Sequence, residues 1–252
     1  MPSGRVEAVM ATLRFSFGTM GSGKSTMALQ IHHNLASRDL YGLLLTTLDR
    51  EGAQVTSRLG VAAHAIEVVP DLDIYKLAVD NWPIHYLVCD EAQFYSVAQC
   101  DQLGRVVDDL GVDVFAFGLI TDFRGELFEG TKRFLEIADE RVAMQVEARC
   151  WCGARATHNA RVVNGEIVRT GETVVVGDTG DHAEQPLFGD VVRYELLCRA
   201  LPHRRAGRVA RRRPRRHVRE CCRRCGLGAR AATRSPRRRG HCAPRALRRG
   251  RP

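Results

Sequence analysis

No stretch of the 252 residues reaches the ~18 consecutive apolar side chains that a membrane-spanning helix needs. The opening MPSGRVEAVMATLRFSFG lacks the longer apolar core and small-residue cleavage site of a secretory leader. A soluble cytoplasmic protein with no membrane partner is the expectation, and its nine cysteines should stay reduced. Close cysteine pairs then read as metal ligands before disulfides. Internal repeats are also lacking, which excludes a solenoid. The sharpest absence lies in residues 199–252, which hold no Lys, Asp, Asn, Gln, Ile, Met, Phe, Tyr or Trp. Such a set cannot make a packed core. Of the chain's 38 basic residues, 21 are arginines of this stretch, and of its 29 acids only Glu220 falls there. The stretch therefore carries +20 and the remainder −11, so the basic character belongs to the tail alone.

The length suits one main domain with room for a small second one. Apolar runs at 12–17, 41–47, 64–69, 84–89 and 112–119 read as strands, and 24–38, 72–79 and 95–110 as helices. Strands that are apolar throughout and alternate with helices predict an α/β fold, a parallel sheet covered on both faces. From about residue 146 short β-like runs (ARVV, EIV, TVVVG) lie between Gly and polar turns, and 178–190 reads as a flexible loop. The expected organisation is an N-terminal extension (1–11), a main α/β domain (12–145), a small β-rich domain (146–199) and an Arg-rich tail (200–252).

Gly18-Thr19-Met20-Gly21-Ser22-Gly23-Lys24-Ser25 matches G-x-x-x-x-G-K-[ST] between a strand and a helix. Backbone N–H groups of such a loop and the following helix N-terminus hold phosphate oxygens. Lys24 is expected on the β- and γ-phosphates and Ser25 on Mg²⁺, with Thr26 beside it. This points to ATP and to a phosphate-loop NTPase (RecA-like) sheet. Apolar Leu87-Val88-Cys89 runs into Asp90-Glu91-Ala92-Gln93-Phe94. An acid ending such a strand holds Mg²⁺, the role expected of Asp90, with Gln93 on the nucleotide side. Glu91 suits a base taking a hydroxyl proton. The pair alone leaves open a kinase or an ATPase that activates water.

The chain resembles the type II (cellular and bacterial) thymidine kinase family over about residues 12–198. FGTMGSGKS, LDREGAQVTSRLG, CDEAQF and GLITDFRGELF carry the likeness, in that order. It implies ATP-dependent phosphorylation of the thymidine 5′-hydroxyl in nucleotide salvage, feedback binding of dTTP and a homotetramer. By the same likeness Glu91 is the general base and Arg58 lies near the phosphates. Phe94 and Phe128 wall the base pocket, with Met20 and Leu127 beside them and Asp122-Phe123-Arg124 just before. Tyr194 belongs to a closing loop, the lasso, and Asn159, Val175, Val176 and Gly177 fall in the matching stretch. The small domain is then a zinc-ribbon and lasso unit.

That family's ribbon carries a Cys pair before the lasso and a second pair after it. Here the first pair is Cys150-Trp151-Cys152, one residue shorter than C-x-x-C, and Cys198 fits the third ligand. Position 201, where the fourth belongs, is Leu201, and His203 lies two residues on. Three thiols without metal remain the alternative. The tail reads either as an Arg-rich nucleic-acid-binding arm or as out-of-frame translation beginning near Arg199. The second is favoured, because Arg, Ala, Gly and Pro are the residues of GC-rich codons and stacking aromatics are absent. A catalytically impaired thymidine kinase homologue and a phosphate-loop ATPase of another class stand as alternatives.

Overall fold

The computed structural model describes residues 10–47, 54–57, 60–144, 147–171 and 192–199. Strand β1 (Leu13–Gly18) leads into helix α1 (Lys24–Ala36) and strand β2 (Gly42–Thr46). Next come β3 (Gln54–Thr56), β4 (Ala62–His64), β5 (Ile66–Glu67), α2 (Ile74–Asp80) and β6 (Tyr86–Cys89). A single 3-10 turn, Ala92–Phe94, precedes α3 (Val97–Leu110), β7 (Asp113–Leu119), α4 (Glu129–Ile137) and β8 (Glu140–Ala143). The small β-rich part contributes β9 (His158–Val163), β10 (Glu166–Val168) and β11 (Val192–Leu197).

Six strands form one sheet in the order β5-β2-β6-β7-β1-β8, and every paired neighbour is parallel. The strands read as continuous apolar runs because both faces are covered. Leu43, Leu45, Leu87, Cys89, Val114 and Ala116 pack one way, against Ile74 and Ala78 of α2, Leu103 and Val106 of α3 and Phe134 of α4. Leu44, Tyr86, Val88 and Phe117 pack the other way, against Ala28 and Leu29 of α1. The sheet brings the carboxyl ends of β1, β6 and β7 side by side, the place where open parallel sheets bind ligands.

The strand expected at 64–69 and the helix expected from 95 need correction. The run 64–69 is not one strand. Residues 62–64 pair antiparallel with β3 in a separate hairpin, and only Ile66–Glu67 joins the edge of β2. The region after residue 128 also holds more order than its pattern suggests. Helix α4 is short and amphipathic with a glycine in its first turn, and all four residues of β8 are exposed, so β8 shows no apolar alternation. Helix α3 starts at Val97 rather than 95, because Ser96 closes a reciprocal capping box with Gln99.

The small part is a three-stranded antiparallel sheet, β10-β9-β11, with its own apolar cluster of Cys150, Ala160 and Leu197. The TVVVG run, the 178–190 loop and the Arg-rich tail lie outside the described residues. No helix among the described residues is long and apolar enough to cross a membrane.

Candidate active site

Gly18 is the last residue of β1 and is buried. A Cβ there would lie 2.5 Å from Ser22 Oγ and 3.0 Å from the Met144 carbonyl oxygen, so a side chain has no room. Gly21 and Gly23 take φ of 68° and 82°, the left-handed region that glycine enters without strain. Gly23 N-caps α1 with no side chain bonded to the first-turn N–H groups. A helix N-terminus of this kind presents backbone N–H groups toward an anion. Lys24 is buried and its Nζ donates to the Thr19 carbonyl at 2.9 Å, folding the side chain back over the loop. Ser25 and Thr26 follow, half-buried, in the first turn of α1. Ser22 Oγ is buried without a hydrogen-bond partner.

Asp90 directly follows β6, is 3% exposed, and its Oδ1 has no hydrogen-bond partner. Burial first, and the Glu91 charge second, push its carboxyl up to about 7, while bonds from Ser25 and the Glu91 backbone and the Lys24 charge pull the other way. An orphaned buried carboxylate oxygen beside a serine hydroxyl and a phosphate-type loop is the donor set a hard divalent cation takes. Glu91 sits at φ 51°, a conformation uncommon for a residue with a Cβ and typical of functional sites. Gln93, 1% exposed, donates from Nε2 to Glu91 at 2.5 Å and accepts the Leu119 amide on Oε1 at 2.9 Å. Its amide therefore ties Glu91 to the end of β7. Both ends of the Gln93 amide, expected on the nucleotide side, are held by these internal bonds.

Phe94 and Phe128 meet edge to face, with ring centroids 5.4 Å apart. Between β7 and Phe128 the chain makes a stiff loop. Asp122 accepts the backbone N–H of Arg124 (2.8 Å) and Glu126 (3.0 Å) and Arg124 Nε (2.8 Å), and Thr121 bridges to exposed Leu127. Thr131 bonds the Leu119 carbonyl at 2.6 Å. Gly130 lets α4 close on the 3-10 turn, since a Cβ would lie 2.7 Å from the Ala92 and Tyr95 carbonyls and 3.0 Å from that of Gln93. The sequence reading missed this constraint, because nothing local marks a glycine whose neighbours lie some thirty-five residues away.

The small sheet supplies the rest. On β9, Asn159 and Arg161 share one face, as residues two apart must. Asn159 is buried and its Oδ1 accepts the Met20 N–H at 2.9 Å, joining the small sheet to the glycine-rich loop. Arg161 donates to the Tyr194 hydroxyl from Nε (3.3 Å) and a terminal nitrogen (3.1 Å), and its guanidinium lies 3.9 Å from the Phe123 centroid. Asn159→Ala is expected to lower stability by about 1–3 kcal/mol by stripping the Met20 amide of its partner. It should also raise the KM for ATP several-fold, read from melting curves and initial rates. Arg58, Val175, Val176, Gly177 and His203 lie outside the described residues.

Cys150, Cys152 and Cys198 place their thiols within 4.8 Å of one another, with 3.7 Å between the Sγ atoms of Cys152 and Cys198. Four thiolates ~2.3 Å from a tetrahedral zinc would stand ~3.8 Å apart, so the three fit three corners. The short Cys150-Trp151-Cys152 spacing is absorbed by a turn in which Gly153, at φ 85°, donates to the Cys150 carbonyl. Burial pushes the Cys150 thiol up, against bonds from the Cys152 and Cys198 backbones.

Comparison with known proteins extends this geometry to a family. The family model described as Thymidine kinase matches residues 11–200. The thymidine kinase of Streptomyces avermitilis is 51% identical over 201 residues, 78% of this chain and 90% of that protein. The thymidine kinase of Cutibacterium acnes is 49% identical over 203 residues, 79% of this chain and 90% of its own. The thymidine kinase of Enterobacteria phage T4 is 39% identical over 176 residues, 67% of this chain and 90% of its own. Half-identical sequences aligned over nine-tenths of their length share a fold and its motifs together, and the chain belongs to the thymidine kinase family.

Proposed function

We propose that this protein transfers the γ-phosphate of ATP to the 5′-hydroxyl of thymidine, giving dTMP and ADP. The observation that carries the reading is the pair of buried Asp90 and half-buried Glu91 at the end of β6, with Gln93 fixing Glu91 and the glycine-rich loop two strands away. In this reading the loop amides and Lys24 hold the β- and γ-phosphates, and Gln93 acts through Glu91. Arg58 adds positive charge on the phosphate side. Glu91 accepts the proton of the 5′-hydroxyl as its oxygen bonds to the γ-phosphorus. The bond from that phosphorus to the β–γ bridging oxygen breaks, and ADP leaves with the electron pair. Ser25 and Asp90 would hold Mg²⁺, whose charge offsets that of the transferring phosphate.

Phe94, Phe128, Met20 and Leu127 wall the thymine. Asn159, Tyr194 and the lasso residues Val175, Val176 and Gly177 complete the pocket and exclude water, which guards against idle hydrolysis. Feedback binding of dTTP, a homotetramer and a cytoplasmic site belong to the same reading, drawn from the family resemblance, and an out-of-frame origin for the tail rests on its Arg-Ala-Gly-Pro composition. Purified protein with Mg-ATP and thymidine should yield dTMP on chromatography. If ADP forms without thymidine and no dTMP appears, the reading fails in favour of an ATPase.

Zinc is proposed for Cys150, Cys152 and Cys198, with the fourth position taken by His203 or an outside ligand. Elemental analysis should find about one zinc per chain. Cys150→Ser should lose the zinc and several degrees of Tm. Zinc at background in the wild-type protein would leave three reduced thiols.

A further inference from the structure

The small sheet and the parallel sheet both contribute to the proposed acceptor pocket, so something must set the spacing between them. Phe94, Leu127 and Phe128 belong to the parallel sheet and its loops, and Tyr194 belongs to β11. Arg161 stands where the two meet. It is 5% exposed, lies directly opposite Tyr194 in the β9–β11 register, and gives that residue's hydroxyl two N–H donors. The flat face of the same guanidinium rests on Phe123. Phe123 is itself buried, in the loop that Asp122 stiffens and that ends in Leu127 and Phe128.

We infer that Arg161 is a positioning residue for the nucleoside: it fixes Tyr194 relative to the Phe94–Phe128 walls by gripping Phe123. The inference rests on the proposed thymidine site. Only a planar cation can do both jobs, since its face stacks on a ring while its edge N–H groups point outward in the plane. A lysine at 161 could either approach the ring or reach the hydroxyl. Neither Arg161 nor Phe123 need touch the nucleoside, so their loss should appear in acceptor affinity rather than in ATP affinity.

The test uses the full chain with Arg161→Lys, Phe123→Leu, Tyr194→Phe and the Arg161→Lys/Phe123→Leu double variant. Thymidine Kd is read by calorimetry, KM for both substrates by initial rates, and Tm by melting. Arg161→Lys should raise thymidine Kd and KM about tenfold and leave the KM for ATP within twofold. Tyr194→Phe should raise them about threefold. The double variant should bind no worse than Arg161→Lys alone, because both changes undo one joint. A lowered Tm with unchanged thymidine Kd, or losses that add in the double variant, would overturn the inference. Should Arg161→Lys fail to fold, unchanged Kd in both Phe123→Leu and Tyr194→Phe overturns it equally. Wild-type protein that binds no thymidine brings down the functional reading and this inference with it, whereas tight binding by the wild type and by all variants removes the inference alone.

Discussion

Glu91→Gln is expected to lower kcat for dTMP formation by about 10²–10⁴-fold while ATP affinity stays within a few-fold. The substitution keeps the shape of the side chain and can keep a bond from Gln93, since an amide oxygen also accepts. It removes the lone property that proton transfer requires, a basic carboxylate. Both residues meet the same backbone demand, because the left-handed φ of 51° is set by the 3-10 turn that follows. Stability should therefore change little, which separates a chemical loss from a folding loss. Rates under saturating Mg-ATP and calorimetric ATP binding measure the two quantities. Normal turnover in Glu91→Gln would remove Glu91 from the chemistry and with it the proposed mechanism.

Gly130→Ala is the second large effect, and it is a packing effect. A methyl group would press on the Ala92 and Tyr95 carbonyls at 2.7 Å and on that of Gln93 at 3.0 Å, all backbone atoms with little freedom to move. Overpacking of this kind costs about 1–3 kcal/mol or more. The turn that must yield carries Gln93 and Phe94 and follows Glu91 directly, and a displacement of about 1 Å at a reacting group can cost roughly 10²-fold in rate. Gly130→Ala should thus lose both Tm and kcat. Gly104→Ala is the matched control. Gly104 is inside α3, and a Cβ there meets only Ile137 Cδ1, at 3.7 Å. Replacing it should raise stability by up to about 1 kcal/mol and leave kcat alone. If Gly130→Ala behaves like Gly104→Ala, the close approach of α4 does not govern the turn.

What could be read from the chain before its structure followed how local each signal was. The glycine-rich loop and the Asp90-Glu91 strand end are contiguous stretches whose spacing carries their chemistry. The parallel sheet was legible for a related reason, since strands buried on both faces leave unbroken apolar runs. Strand β8 escaped notice because its four side chains are exposed, and what ties it to β1 is the backbone ladder and the Arg14–Glu140 ion pair. The roles of Gly130, Asn159 and Arg161 escaped because each depends on a partner far along the chain: the 92–95 carbonyls, the Met20 amide and the Phe123 ring. Gln93 lay between these cases. Its motif drew attention to it, and only the two ends of its amide revealed which neighbour it serves.

The strand order bears on how the protein is made as well as on what it does. Strand β1 precedes every other described strand in the chain and has no neighbour in the sheet until β7 and β8 exist. The N–H of Thr12 waits for the carboxylate of Asp113, 101 residues on, and Leu13 for Asp139. The loop after β1 is thus translated early and anchored late, since long-range parallel pairing must absorb its loop-closure entropy first. A nascent chain stalled before β7 would carry the whole glycine-rich motif and still lack both strand partners that hold it in place. Nucleotide capture should emerge during synthesis as a late, cooperative event, and codon pauses between β7 and β8 would govern the yield of competent protein more than pauses within the motif itself.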